Sequence, residues 1–247
     1  MPLLHAFGTA PGTRKAKTAA AAEDAVKTAW WKCDEGSGTT LADSAGSNDL
    51  TLANGSWTAD TGRGTKPTWN GTTTQALCST TSGTDCYTKK AITITAWIYP
   101  KTNGEGEQGH VVCNFMANGA VPNAGYFFMI QGTFPATSQI YAYVDADSVV
   151  AWSETGGYIN YNEWCHIAMA YSDTDDRKIK CYYNGEETSY FVQRAAEGNL
   201  LDESTNSVAL GNRVETTNKT FDGYIDDVRI YQQKLTAAQI LEIYNEG

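Results

Sequence analysis

From residue 30 onward, apolar and polar positions alternate with period two in short runs, and the runs are broken by clusters of Gly, Asn, Asp, Ser and Thr. That period puts one set of side chains on each face of a pleated strand, and such clusters make the tight turns that join strands. The clearest runs predict strands over residues 91–99 (AITITAWIY), 139–144 (QIYAYV), 164–171 (WCHIAMAY), 178–183 (KIKCYY) and 221–231 (FDGYIDDVRIY). In the last run Phe221, Gly223 and Ile225 share one parity while Val228 and Ile230 share the other, so a β-bulge is predicted at Asp226-Asp227. In QIYAYV the residues Ile140, Ala142 and Val144 take the core face, which turns Tyr141 and Tyr143 the other way.

One helix is predicted, at the C-terminus. Thr236 and Gln239 form a Thr-x-x-Gln capping box, and Ile240, Ile243 and Tyr244 follow at helical spacing, so one face packs onto a sheet as a lid. Residues 1–29 carry no such pattern. They are rich in Ala and Thr with no amphipathic face, and they read as an arm that docks on a partner subunit. The expected organisation is an arm over 1–29 and one domain over 30–247.

The composition favours the same class: Gly, Tyr and Trp are plentiful, and 247 residues suffice for one all-β sandwich with a generous core. With 18 Lys+Arg against 28 Asp+Glu the net charge is -10, which repels a phosphate backbone and argues against nucleic acid as a partner. No apolar run reaches the roughly 20 residues that span a bilayer, so no membrane insertion is expected. The N-terminal apolar patch precedes the basic cluster Arg14-Lys15-Lys17, the reverse of a secretory signal, and no signal peptide is expected in this chain. The six cysteines show no metal-binding spacing. Cys78 and Cys86 flank a Gly-containing turn and read equally as a local disulfide or as semi-buried thiols; Cys33, Cys165 and Cys181 sit in apolar patterns and read as core thiols.

Several short motifs occur together and in order: Trp31 to Gly38 (WKCDEGSG) with Leu41 to Gly46 (LADSAG), Trp69-Asn70-Gly71, Ile92 to Ile98, Trp164 to Ala168, Tyr183-Asn184-Gly185, Leu210-Gly211, and Phe221 to Tyr231. Over residues 30–247 the chain resembles the laminin-G-like, concanavalin A-like lectin/glucanase superfamily in its bacterial and phage form. The resemblance implies an all-β fold, a two-sheet antiparallel jelly-roll sandwich with the short C-terminal helix attached. Trp69 stands where the family usually has Phe and Cys165 where it often has His, and residues 1–29 have no counterpart in the family pattern.

The bulge at Asp226 re-aims a carboxylate, an arrangement that suits an oxygen-ligated cation. The resemblance implies a structural calcium shared between this strand and the N-terminal turn, which makes Asp43, Asn48 and Asp226 the candidate ligands. The plainer alternative is that Asp43 forms an Asx-turn and Asp226 caps a loop. The related glucanases need two or three acids alternating along one strand, and no E-x-D-x-E pattern is present, so no catalysis is expected. The segment Gly104 to Gly109 matches GxGxxG, but two glutamates within it would repel pyrophosphate and it is expected as a hairpin loop. His166 is expected to be a strand residue, and Asp173, Asp175 and Asp176 a solvated turn.

Outward aromatic rings can stack on the apolar faces of sugars, and Tyr141, Tyr143, Trp152 and Tyr182 are the candidate carbohydrate-binding residues. The expected function is therefore a non-catalytic surface-binding or decoration module, with glycans or cell-surface polysaccharide as partners. It would sit outside the cell or on a virion surface, held to a capsid or tail protein through residues 1–29. Two alternatives stand beside it: a carbohydrate-binding domain of a secreted polysaccharide-degrading system, and an atypical glycan hydrolase or lyase.

Overall fold

The computed structural model describes residues 25–59, 62–79, 81–116 and 124–247. The first strands are β1 (Ala29–Trp31), β2 (Thr40–Leu41), β3 (Leu50–Ala53), β4 (Ser56–Ala59), β5 (Thr65–Asn70) and β6 (Gln75–Cys78). Next come β7 (Ala91–Pro100), β8 (Gln108–Cys113), β9 (Tyr126–Gln131), β10 (Gln139–Val144), β11 (Ala151–Thr155) and β12 (Cys165–Ser172). The chain finishes with β13 (Lys180–Tyr183), β14 (Glu186–Glu187), β15 (Tyr190–Arg194), β16 (Val208–Leu210), β17 (Asp222–Tyr231) and the helix α1 (Ala237–Glu246).

These strands form two antiparallel sheets. One has the order β14-β13-β12-β7-β17-β5-β4, with β1 also on β17; the other has the order β15-β11-β10-β9-β8-β16-β6-β3-β2. Their inner faces meet in one core that includes the fully buried Trp31, Trp69, Tyr126, Phe128 and Phe221. The chain is thus the two-layer β-sandwich that its alternation predicts.

The two outer faces differ, and the burial pattern shows why. Strands β7 and β12 are buried on nearly every residue, because α1 lies over them. Beneath the helix, Ala168, Ala170, Tyr182, Tyr231 and Leu235 pack with Ile240 and Ile243, each isoleucine worth about 1.5–3 kcal/mol of transfer free energy. The capping box forms as expected: the Gln239 N–H donates to Thr236 Oγ1 at 3.3 Å, and the Thr236 N–H donates to Gln239 Oε1 at 2.9 Å. Strands β10 and β11 instead keep a strict alternation of buried and half-exposed residues, so among the described residues the outer face of the nine-stranded sheet is uncovered there.

Three expectations change. The packed unit starts before residue 30: Ala29 is fully buried and pairs with Ile230, and Ala25 joins the cluster under α1. The rest of the expected arm, residues 1–24, lies outside the described residues. The 104–109 segment is not a hairpin loop, since it carries the chain from β7 in one sheet to β8 in the other through a single turn at Glu105–Glu107. Cys86 is a buried free thiol, so the disulfide reading of Cys78 and Cys86 does not hold, whereas Cys33, Cys165 and Cys181 are core thiols as expected. The bulge falls where parity slips, with the register of β17 on β7 shifting between Asp226 and Arg229. Among the described residues no helix is long and apolar enough to cross a membrane.

Candidate functional site

On the outer face of the nine-stranded sheet, register partners line up in rows that run across the strands. One row is Cys113 on β8, Phe127 on β9, Tyr143 on β10, Trp152 on β11 and Arg194 on β15. The next is His110, Met129, Tyr141, Glu154 and Val192. A third holds the half-exposed glutamines Gln108, Gln131 and Gln139.

The rings of the first two rows stack on one another. Phe127 and Tyr143 are parallel within 4° at 4.6 Å, Phe127 and Tyr141 lie at 5.8 Å, and Tyr141 stacks on Trp152 at 5.5 Å. Phe115 closes the group with its edge toward Phe127 and Tyr143. Rings stacked this way stand on the sheet and offer edges and hydroxyls to solvent. Trp152 is the end of the ladder: among the described residues it has an aromatic partner on one side only. The sequence reading placed Tyr141, Tyr143 and Trp152 on this face but missed Phe127 and Phe115. Phe127 had a signal, because the run 126–131 (YFFMIQ) alternates, but its unbroken apolar character masks which parity is the outer one.

Tyr182 does not belong here. It sits on β13 in the other sheet, 4% exposed under α1, so it packs the helix and is shut off from solvent.

Polar groups frame the ladder. The Tyr143 hydroxyl donates to Asp145 Oδ1 at 3.1 Å; burial raises the Asp145 pKa, opposed by this bond and by the Ala146 N–H. Burial also pushes the Tyr143 phenol up, with Asp145 adding to it, so the hydroxyl remains a donor at any ordinary pH. His110 is buried against Phe127, their ring centroids 5.2 Å apart.

Of the three candidate calcium ligands Asp43 and Asn48 bond to each other, and Asp226 is held by basic side chains. Asp43 Oδ1 accepts the N–H groups of Trp30 and Ala45, both at 2.9 Å, and Oδ2 accepts the Asn48 N–H at 3.0 Å and the Asn48 side-chain amide at 2.9 Å. Burial works to raise the Asp43 pKa, but these donors outweigh it and hold the carboxyl below its ordinary value. Asn48 Oδ1 is itself taken by the Ser82 N–H at 2.7 Å. Asp226 lies against Lys66 Nζ at 2.7 Å and Arg63 Nε at 2.6 Å. Calcium needs six to eight oxygen ligands, and oxygens engaged by N–H donors and by two cationic side chains are a poor fit to it. Asp43 therefore ties the N-terminal turn together and Asp226 is the counter-ion of the buried Lys66 and the partly buried Arg63. Among the described residues no group of three or more His, Cys, Asp or Glu side chains gathers into a metal site.

Comparison with known proteins agrees with this architecture. The family model described as the concanavalin A-like lectin/glucanases superfamily matches residues 70–241. Usherin from Homo sapiens is 30% identical over 93 residues, 37% of this chain, and the chain spans about 2% of the length of that relative. Domain 4 of AbnA, a GH43 extracellular arabinanase from Geobacillus stearothermophilus solved with arabinotriose, superposes with a TM-score of 0.61 at 19% identity, over 89% of this chain and 98% of that one. The binding domain of Paraclostridial Mosquitocidal Protein 1 gives a TM-score of 0.66 at 16% identity, over 91% of this chain and 52% of the other. At such identities the superpositions establish the fold alone.

Proposed function

The chain belongs to the concanavalin A-like lectin/glucanase superfamily, and from that premise we propose that it is a non-catalytic glycan-binding module whose binding face is the uncovered outer side of the nine-stranded sheet. The observation that supports this most is the ladder of Phe127, Tyr143, Tyr141 and Trp152, half-exposed on the outer face that, among the described residues, no helix covers. A sugar laid along it meets apolar ring edges and the free side of the terminal indole through its C–H groups. Its hydroxyls reach the Tyr phenols, Glu154 and the glutamine row, the combination of apolar body and polar fringe that saccharides require. The structure of AbnA domain 4 with arabinotriose is consistent with a sandwich of this kind holding an oligosaccharide.

The acids on this face favour binding over hydrolysis. Asp145 is tied to Tyr143, and Glu154 sits in a row with Tyr141 and Met129, with no second carboxylate as its register partner on either neighbouring strand. Glycoside hydrolysis needs two carboxyl groups facing one glycosidic bond.

The experiment is binding of the full chain to a panel of plant and bacterial oligosaccharides by calorimetry, repeated with Trp152→Ala. At least one glycan should bind, and Trp152→Ala should weaken it about tenfold or more, as loss of one stacking ring removes on the order of 1.5 kcal/mol. Unchanged affinity in that variant would move the site off this face, and silence across the panel would sink the glycan reading.

A further inference from the structure

One corner of this face carries a cluster that the aromatic ladder does not explain. After β16 the chain makes an excursion over residues 212–219 and returns to the sheet where the Phe221 N–H donates to the Gly211 carbonyl at 2.8 Å. The excursion is tied down over the outer face. Gln75, of the same parity as the outward Leu77, donates its side-chain amide to the carbonyls of Arg213 and Val214, and the His110 N–H donates to the Lys219 carbonyl at 3.1 Å. The Lys219 backbone is thereby set beside His110 with its ammonium over Gly106 of the Glu105–Glu107 turn, and Arg213 is near enough for its charge to act on the His110 ring, which packs on Phe127.

His110 is only 1% exposed, and neither ring nitrogen has a hydrogen-bond partner; Arg213 Nε is likewise buried without one. Burial, and then the charges of Arg213 and Lys219, push the His110 pKa down to about 3, so the ring is neutral and keeps one N–H to give. Two N–H donors without acceptors, flanked by two cations on a molecule of net charge -10, call for a small acceptor-only anion. Glu154 and Asp145 sit further along the face and repel such a group from the middle of the ladder. A planar carboxylate matches the guanidinium fork.

We infer that His110, Arg213 and Lys219 form a subsite for the carboxylate of an acidic sugar, so that the ladder reads the saccharide chain and this corner selects a uronic acid within it. The inference rests on the glycan reading above. A neutral sugar offers these donors only hydroxyl and ring oxygens, whereas a carboxylate adds the charge and the two-oxygen fork that complement a guanidinium.

The test is calorimetric titration of the full chain with trigalacturonate and with the neutral galactotriose, at low and at physiological salt, for the wild type, Arg213→Gln and Arg213→Lys. The backbone bonds that Arg213 makes do not involve its side chain, so the fold should survive, as circular dichroism would verify. Trigalacturonate should bind about tenfold or more tighter than galactotriose, less so at higher salt. Arg213→Gln should abolish that preference without changing galactotriose binding, and Arg213→Lys should retain part of it. Equal affinity for the two sugars, or a preference that survives Arg213→Gln, overturns the acidic subsite and leaves the glycan function standing. Binding of neither sugar overturns both.

Discussion

Glu203 shows how one residue can set the pH response of this sandwich. Its carboxylate is 3% exposed and accepts the N–H groups of Cys86 at 2.7 Å and Tyr87 at 3.2 Å. Burial pushes its pKa from 4.5 up to about 7, opposed by those N–H donors and assisted by nearby Asp85. Because the folded value is the higher one, protonation favours the folded state. The contribution is complete below about pH 4.5 and is lost as pH rises through 7. Glu203→Gln keeps an acceptor without the charge, and it should gain on the order of 2–3 kcal/mol over the wild type at pH 8 and little at pH 4. Urea midpoints measured across that range decide it, and a constant offset between the two proteins would count against the assignment. A residue of another kind is Gly211, at φ +72°, where an added Cβ would stand 1.7 Å from the Trp69 indole. Only glycine lets β16 turn away over that ring.

At the scale of elements, β17 is the strand whose irregularity matters most. Its bulge sends Asp226 to Lys66 and Arg63, while Asp227 takes the Arg229 guanidinium at 2.8 Å and the Trp30 indole N–H at 2.6 Å. Removing the carboxylate charge strands the buried Lys66, so Asp226→Asn should lower stability by about 3 kcal/mol. The drop should be the same with calcium or with chelator, read as the shift in thermal midpoint; a calcium-dependent loss would restore the metal reading.

The same strand shows what was legible in the sequence. Parity along a single run located the bulge, and parity likewise turned Tyr141 and Tyr143 outward, because strand alternation is a local property. Which sheet a strand joins is decided by partners far away in sequence, and that information is absent from any one run. Tyr182 has a half-apolar neighbourhood much like that of Tyr141, yet α1 covers it. The 104–109 turn looks the same whether the chain folds back or crosses to the other layer. The Arg213 corner was invisible for the same reason, since only the closed sheet brings residue 213 beside residue 110.

For the whole molecule, the cysteines offer a reporter. Cys33, Cys86, Cys113, Cys165 and Cys181 are free and fully buried, and burial raises the pKa of each thiol, that of Cys113 to about 11. A thiol is reactive only as an accessible thiolate. Labelling by a disulfide reagent should therefore track global unfolding in urea, and reductant should leave the thermal midpoint unchanged; rapid labelling of these thiols in the native state would show that the core opens locally. The pairing of β1 with β17, the first and last strands among the described residues, has a consequence in time. Trp30 meets Asp227 across 197 residues. A nascent chain on the ribosome holds the apolar β1 without its partner until β17 has emerged, and so large a loop makes closure slow. The sandwich is completed at the β1–β17 seam, and the interval before that closure is when a chaperone has the most surface to hold.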